Sequence, residues 1–528
     1  MDKAVKKIRL YDTTLRDGMQ TEGISFSLDD KLAVARRLDR LGLDYIEGGY
    51  AGSNPKEMEF FEQVRSLKLK NSRITAFGST RRASTKAADD PSLKAILACH
   101  TPVATLVGKT WDLHVTDVLS CSIEENLAIC ADSVKFLKRR GRETIFDAEH
   151  FFDGYKQNPD YAMRVLDAAA EAGADALVLC DTNGGSMPDQ VYEITKAVCD
   201  NFTTLTIGIH THNDADLATA NSLAAVRAGA RHVQGTINGI GERCGNANLC
   251  TLIPNLAFKM GLRILTAEKL KSLTETSRFL FEVANLSPAM NMPYVGDSAF
   301  AHKGGLHIDA LRKNKRTYEH IDPTLIGNQR RFLISELSGK STVLAKFEKS
   351  RLATDSKLAA KVLRKVQDLE NQGYQFEAAD ASFDLLVKKV MGTYQPLFQL
   401  IKYYVTVEKR APAQMVNEAT VKLKVRDTVK HVVGEGDGPV NALDAALRSA
   451  LEDFYPALRQ MHLIDYKVRV VNARAGTAAK VRVIIESRDK DSVWGTVGVS
   501  ENIIEASWQA LVDSVEYKLL KDIKPRKD

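Results

Sequence analysis

The sequence lacks any uninterrupted apolar run of the ~18 residues that a membrane-spanning helix needs, so no membrane partner is expected. The first residues, MDKAVKKIRLYDTTLRDG, contain no apolar signal core and enter a strand-like pattern at once. Together these two absences predict a protein that is neither exported nor inserted into a bilayer.

Closely spaced cysteines and a strong charge of one sign are also missing. The seven cysteines are odd in number, widely spread and never in a Cys-x-x-Cys pattern. This pattern excludes a disulfide framework and indicates reduced thiols, which predicts a cytoplasmic location.

The formal net charge is only +6 over 528 residues, with basic and acidic residues intermixed. No nucleic-acid partner is therefore expected.

What the sequence does contain is typical of a globular protein, with 44% hydrophobic and 27% charged residues. A chain of 528 residues is too long for one compact core. Its patterns predict three domains. They are a barrel over 1–265, a mainly helical linker subdomain over 266–400 and an α+β domain over 401–528. The clearest helical part of the linker is 341–373.

In the first domain, short apolar runs alternate with amphipathic stretches, and glycine often follows the stretch where a left-handed helix cap is wanted. The runs are IRLYDT, DYIEGG, RITAFG, VATLVGK, TIFDAEH, ALVLCDT, TIGIHTH and HVQGTING. About eight such units over ~260 residues are what a (β/α)8 TIM barrel requires. A doubly wound open sheet is the alternative, but its phosphate-binding glycine fingerprint is absent after the first run.

The last domain contains a weak internal repeat. Strands, a turn and a helix are predicted around EGDGPVNALDAAL, and the same order returns around VGVSENIIEASWQAL. A duplicated α+β module of this kind favours a ligand-sensing appendage, with a plain dimerisation domain as the alternative. The backbone donors of GEGDGPVNA, at a predicted helix N-terminus, suit the carboxylate of an amino acid.

Polar residues at the ends of the predicted strands point to a metal site. His210 and His212 are two apart at the end of a strand, so their side chains face the same way. Asp17 follows the first strand and Asn246 follows the eighth. Because a barrel closes by pairing its first and eighth strands, these four residues are expected to meet at one mouth. Two imidazoles with carboxylate and amide oxygens suit a divalent cation that keeps open positions.

The alternative for Asp17 is a simple ion pair with Arg16 or Arg243. Other candidate residues at strand ends are Glu47, Lys109, Glu149 and Thr182. Glu149 is the strongest candidate for proton transfer among them, because a carboxyl group between apolar neighbours can have a raised pKa that suits this role. Pairing of Glu149 with a lysine or arginine is the alternative.

Three motifs carry a family resemblance. LYDTTLRDGMQ, HTHND and NGIGERCGNANL resemble the acyl-CoA-condensing branch of the DRE-TIM metallolyases, which contains the 2-isopropylmalate, homocitrate and citramalate synthases. EGGYAGSNPKE and FDAEHFFDGYK are most similar to the (R)-citramalate synthase subgroup. The resemblance implies condensation of acetyl-CoA with pyruvate, with Mg²⁺, Mn²⁺ or Zn²⁺ as cofactor. It also implies a homodimer and an isoleucine effector, or leucine as the alternative.

The resemblance also implies residue roles. Asp17, His210, His212 and Asn246 would hold the metal. Arg16, Thr182 and Glu47 would bind the 2-oxo acid, with Arg16 stabilising charge on the keto oxygen and Thr182 binding the carboxylate. Glu149 would remove the methyl proton of acetyl-CoA. AFAHKGGLHIDA resembles the segment that reaches into a neighbouring subunit's barrel, and it would offer His302 or His307, beside Asp309, to assist. A linker helix with a structural histidine is the alternative.

Three other functions compete with this interpretation. A 2-isopropylmalate synthase using 2-oxoisovalerate would share every metal ligand and differ only in pocket volume. A lyase would cleave a hydroxyacyl-CoA, although such lyases usually have a cysteine-bearing glycine loop and lack the terminal domain. A barrel kept only as an amino-acid sensor would have lost metal or catalytic groups, and none is missing here.

Overall fold

The computed structural model describes residues 7–333, 343, 356–410, 414–471, 476 and 478–522. Part of the helical stretch predicted at 341–373 lies outside these residues, and so do 1–6 and the end of the C-terminal tail. Among the described residues, no helix has both the length and the apolar character needed to cross a membrane.

Eight parallel strands close into a barrel, as predicted, and each predicted apolar run overlaps one strand. The strands are β1 Arg9–Asp12, β2 Tyr45–Tyr50, β3 Arg73–Ser79, β4 Val103–Lys109, β5 Glu143–Glu149, β6 Ala176–Asp181, β7 Thr206–Thr211 and β8 His232–Gly235. β1 closes the barrel by pairing with β8, with Asp12 beside Gly235. A sheet that closes on itself excludes the doubly wound alternative.

Helices follow the strands around the outside of the barrel. They are Leu28–Leu41, Pro55–Val64, Pro91–Ala98, Ile123–Lys138, Phe151–Gln157, Pro159–Glu171, Pro188–Asn201, Ala218–Ala228 and Leu249–Pro254. The first of them begins at a capping box in which Ser27 and Asp30 bind each other's backbone N–H groups. It ends at Gly42, whose φ of 95° is a left-handed cap that residues with a Cβ rarely adopt.

Strand alternation divides the barrel residues between two environments. On β1, Leu10 joins the buried apolar layer between strands and helices, while Tyr11 points into the barrel. The interior contains a layer formed by Tyr11, Tyr45, Val103, Ile145, Ala176, Val178 and Cys180. The barrel is thus packed through its middle, which leaves its carboxyl-terminal mouth for polar side chains.

The chain forms two compact units. The first contains the barrel, runs to Phe300 and includes Ile321–Arg330. Beyond the barrel it has helices Ala267–Lys271 and Leu273–Val283, which bury Leu270, Leu273 and Leu280. The division of the chain predicted at 265/266 and 400/401 stays a prediction. Short 3-10 or π turns lie at Gly18–Gln20, Arg65–Leu67, His114–Val118, Ile237–Gly239, Asn255–Lys259 and Pro323–Ile326.

The second unit comprises Ala301–His320 and the described residues from Arg331 onward. Its strands are β9 Ala301–His302, β10 Arg331–Phe332, β11 Gln399–Arg410, β12 Gln414–Val425, β13 Thr428–Gly436, β14 His462–Val470, β15 Val481–Arg488 and β16 Val493–Ser500. Its helices and turns are Gly305–Lys313, Lys315–Thr317, Ser356–Asn371, Asp380–Met391, Pro439–Leu451, Pro456–Gln460 and Ile503–Asp522. β11–β13 and β14–β16 form two antiparallel three-stranded sheets, each followed by a helix. The predicted repeat is confirmed.

Candidate metal centre and active site

Asp17, His210 and His212 form a buried group at the carboxyl-terminal mouth of the barrel. One ligand atom from each lies within 4.8 Å of the others. The Nε2 atoms of the two histidines are 3.3 Å apart, and Asp17 Oδ2 is 3.4 Å from His210 Nε2 and 3.8 Å from His212 Nε2. Asp17 precedes His210 by 193 positions in the chain, yet the two side chains and that of His212 lie together here. This is the arrangement expected of a cation site.

The local backbone explains why these side chains converge. His210 and His212 alternate with Thr211, whose hydroxyl faces away from them and donates to Ala218 O at 2.9 Å. On the other side of the mouth, the backbone N–H groups of Arg16 and Gly18 both donate to Thr13 O, which makes a tight turn after β1. That turn places the carboxylate of Asp17 opposite the two imidazoles.

Asn246 completes the group. Its side-chain Nδ2 donates to Asp17 Oδ2 at 2.9 Å, and its backbone forms a bridge with His212. The loop that presents Asn246 must pass close to Gly241, where a Cβ atom would lie 2.2 Å from Asn246 Oδ1. The glycine at position 241 is therefore a steric requirement of the site.

The residues present fit a divalent cation. Asp17 Oδ1 and Asn246 Oδ1 are buried without a hydrogen-bond partner among the described residues. Orphaned buried oxygens are costly, and a cation satisfies them. Burial and the neighbouring His210 lower the pKa of His212 to about 3, so that its imidazole is neutral, as a metal ligand must be. Burial alone would raise the pKa of Asp17, but Arg16 and His210 bring it far below its usual range.

Arg16 is oriented by Glu47 beside this group. Its Nε donates to Glu47 Oε2 at 2.6 Å, and its Nη1 lies 3.3 Å from Asp17 Oδ2. The guanidinium stacks 4.0 Å above the ring of Phe77, and Tyr11 donates its hydroxyl to the other Glu47 oxygen at 2.7 Å. The ion pair considered for Asp17 and Arg16 is thus present, and it coexists with the histidine contacts.

Glu149 ends β5 and forms an ion pair with Lys109 of β4. The two residues are direct neighbours in the register of these strands. Pairing with a lysine was the alternative considered for Glu149. Asp147 lies on the same strand, and burial and the nearby Glu47 raise its pKa to about 7.

Thr182 lies just after β6 at the same mouth. Its Oγ1 accepts the backbone N–H of His150 at 2.9 Å, and its carbonyl accepts from Arg243 at 2.7 Å. Arg243 also binds Asp214 through two N–H groups. The structure therefore pairs Arg243 with Asp214 and Thr182, and Arg16 is the arginine beside Asp17.

His302 and His307 belong to the second unit. His302 Nε2 lies 3.3 Å from Glu319 Oε1. The ring of His307 stacks on Tyr318 with centroids 4.1 Å apart, and Asp309 forms an ion pair with Lys313 at 2.6 Å. Their assignment to the active site stays a prediction.

Sequence reasoning missed two buried polar residues, Asp147 and Gln234, that lie behind His210. A signal was available for Gln234, which is two positions from His232 on β8 and therefore faces the same interior. For Asp147, strand alternation from Glu149 would have predicted the same side of β5.

A closed parallel barrel with a cluster of candidate metal ligands at its carboxyl-terminal mouth defines the class as a TIM-barrel protein. Residues 7–280 match the family model described as HMGL-like. Residues 294–374 match the homocitrate synthase post-HMGL domain-like model, and 377–519 match the LeuA allosteric (dimerisation) domain.

Relatives that match over almost the whole chain identify the family more specifically. An (R)-citramalate synthase from Aquifex aeolicus is 53% identical over 98% of this chain and 98% of its own length. One from Geobacter sulfurreducens is 53% identical over 97% of this chain and 98% of its own length, and one from Synechocystis is 52% identical over 97% and 96%. The chain therefore belongs to the HMGL-like family and, within it, to the family of (R)-citramalate synthases.

Proposed function

We propose that this chain condenses acetyl-CoA with pyruvate to give (R)-citramalate and CoA, with a divalent metal ion as cofactor. The observation that carries the proposal is full-length similarity to (R)-citramalate synthases at 53% identity. The cluster of Asp17, His210 and His212 supports the chemistry, because condensation with a 2-oxo acid needs a polarised ketone.

The metal, which we propose to be Mg²⁺, Mn²⁺ or Zn²⁺, would be held by Asp17, His210, His212 and the amide oxygen of Asn246. When bound, it supplies Lewis-acid polarisation of the keto group of pyruvate. The buried setting of the four side chains strengthens every electrostatic interaction made there.

Arg16 and Thr182 have donors to offer the 2-oxo acid. Two N–H groups of Arg16 face Glu47 and Asp17, and a guanidinium carries five, so others can stabilise the keto oxygen as it becomes an alkoxide. Glu47 fixes the guanidinium plane in the binding site. Thr182 Oγ1 accepts a backbone N–H, which leaves its own hydroxyl proton to donate to the substrate carboxylate.

Glu149 is the proposed general base. It removes a methyl proton from acetyl-CoA, and the resulting carbanion forms a carbon–carbon bond to the keto carbon of pyruvate, whose oxygen is then protonated. Water hydrolyses the thioester of the product and releases CoA as the thiol, which makes the sequence irreversible. Lys109 is the cation beside the carboxylate. We further propose that His302 or His307 of a partner subunit assists Glu149 in a homodimer.

The second unit is the proposed regulatory part. Its match to the LeuA allosteric (dimerisation) domain supports a homodimer that senses an amino acid, with isoleucine as the proposed effector and leucine as the alternative. All seven cysteines are free thiols, which supports a reducing, cytoplasmic setting.

A thiol-release assay tests the proposal. Metal-free full-length protein is given Mg²⁺, Mn²⁺ or Zn²⁺ in turn, then acetyl-CoA with pyruvate or with 2-oxoisovalerate. The expected result is metal-dependent CoA release with the higher kcat/KM for pyruvate, and isoleucine inhibition. A higher kcat/KM for 2-oxoisovalerate would overturn the proposal in favour of 2-isopropylmalate synthesis.

A further inference from the structure

We propose that Gln234 is a positioning residue for the metal centre, and that its amide holds the proton of the His210 imidazole on Nδ1 and so leaves Nε2 to bind the cation. The inference rests on the proposed function for the identity of the metal centre. It assigns a role to two residues, Gln234 and Asp147, to which the proposed function gives no part.

The three side chains form a continuous hydrogen-bonded chain inside the barrel. His210 Nδ1 lies 2.9 Å from Gln234 Oε1. Gln234 Nε2 lies 3.0 Å from Asp147 Oδ1. Gln234 is completely buried, and His210 and Asp147 are 5% and 3% exposed. No bulk water competes for these bonds, so each partner's donor and acceptor roles constrain the next.

The surroundings of the amide decide its direction. Its nitrogen lies 3.0 Å from the acceptor Asp147 Oδ1 and 3.5 Å from His232 Nε2, a ring nitrogen that accepts when His232 carries its proton on Nδ1. Burial lowers the pKa of His232 to about 3, so this imidazole is neutral. An amide nitrogen directed at these two groups leaves its oxygen facing His210, and an oxygen can only accept. His210 Nδ1 must therefore carry the proton.

The consequence appears on the other side of the ring. His210 Nε2 faces His212 Nε2 at 3.3 Å and Asp17 Oδ2 at 3.4 Å. A neutral imidazole with its proton on Nδ1 presents a lone pair at Nε2, which is the form that ligates a metal. Gln234 thus selects the tautomer and fixes the ring orientation, while Asp147 prevents the amide from turning over.

The test measures Mn²⁺ binding to metal-free full-length protein without substrates. Gln234→Leu removes the acceptor at similar volume, and we expect Mn²⁺ affinity to fall by about 10–100-fold. Gln234→Glu keeps an oxygen for His210 while sharing a proton with Asp147, and we expect it to recover most of the loss. Thr75→Val is the matched control, because it removes an equally buried interior hydrogen bond, to Thr105 at 3.0 Å, and should leave Mn²⁺ affinity unchanged.

The proposal is overturned if Gln234→Leu binds Mn²⁺ within about twofold of the parent protein, or if Gln234→Glu is no better than Gln234→Leu while both are folded. Should Gln234→Leu not fold, ¹⁵N-histidine NMR of the parent protein decides, with the His210 signals assigned by their loss in His210→Gln. A proton on Nε2 in the metal-bound protein would overturn the proposal. Parental Mn²⁺ affinity in Gln234→Leu alongside normal turnover rejects only this inference. Mn²⁺ binding that depends on Gln234 without citramalate formation rejects only the proposed reaction.

Discussion

Asn246 donates its side-chain amide to Asp17 across 2.9 Å, although the two residues are 229 positions apart in the chain. The contact exists because β1 and β8 are neighbours in the closed barrel, so that the loops after both strands meet. Closure of the barrel between β1 and β8 is therefore what brings Asp17 close to His210 and His212. A change that opens the β1–β8 seam would separate Asp17 from His210 and His212 without touching any of them.

Loss of one imidazole is expected to abolish metal binding and turnover together. His212→Ala removes a proposed metal ligand that is buried opposite Asp17, and we expect kcat to fall by about 10³-fold or more, since polarisation of the ketone is lost. Metal content after dialysis and kcat are the measurements. His100→Asn is the control, because His100 is exposed on the barrel's outer layer and keeps a left-handed φ of 54° that asparagine tolerates. Full turnover by His212→Ala would contradict the assignment.

Replacement of Arg16 by lysine is expected to separate chemistry from metal binding. A guanidinium binds Glu47 at 2.6 Å and still presents a fixed fork of donors, whereas an ammonium has no such fork. We expect Arg16→Lys to lower kcat/KM for pyruvate by about 100-fold and to leave Mn²⁺ affinity within a few-fold of the parent. Arg9→Lys, in β1, is the control for replacing an arginine in this strand region by lysine. It should leave kcat/KM for pyruvate nearly unchanged. A loss of metal equal to the loss of activity would reject the proposed division of roles.

Replacement of Glu149 by glutamine tests the proposed base. An amide cannot take a proton from the acetyl methyl group, so kcat should fall by about 10²–10⁴-fold while Mn²⁺ affinity is retained. Glu143→Gln is the matched control, because Glu143 begins the same strand at the opposite end of the barrel. Retained exchange of the acetyl methyl protons with solvent in Glu149→Gln would assign the base elsewhere.

The strands and the meeting of Asp17, His210 and His212 could be predicted because each depends on a strong local rule. Apolar runs separated by helical patterns predict parallel strands, and the rule that barrel sites lie at strand ends selects Asp17 and the His210–His212 pair. Neither rule needs a pairwise contact to be known in advance.

Pair contacts were harder to predict. The sequence predicts Glu149 as a carboxyl group among apolar neighbours, with pairing to a lysine or arginine as the alternative, and only the register of β4 and β5 places it directly beside Lys109. A shift of one residue would have turned the lysine to the other face of the sheet, and sequence patterns fix strands better than register. For Gln234, the two-residue spacing from His232 predicts the barrel interior, but it does not predict the partners His210 and Asp147, which lie on other strands.

The two buried carboxyl groups of Asp12 and Asp147 predict how the metal-free protein responds to pH. Burial raises the pKa of both from 3.8 to about 7, partly opposed at Asp12 by its hydrogen bonds with Thr14. Between pH 4 and 7 the folded state therefore holds protons that the unfolded state has lost. By linkage, these two groups make the free energy of unfolding fall as pH rises through this range, whereas His212 and His232, whose pKa values burial lowers to about 3, are neutral in the folded state and make it rise.

The expected measurement is the urea midpoint of metal-free protein at several pH values from 4.5 to 7.5. One carboxyl group with this shift contributes up to about 4 kcal/mol to the change, since each pKa unit is worth about 1.4 kcal/mol. Asp147→Asn keeps an oxygen for Gln234 but removes the titration, so its free energy of unfolding should rise relative to that of the parent as pH increases. Glu143→Gln, which removes a carboxyl group from the opposite end of β5, again serves as the control. A parental slope in Asp147→Asn would mean that Asp147 does not hold a proton in the folded protein at pH 5–6, and the burial argument for this carboxyl group would then be wrong.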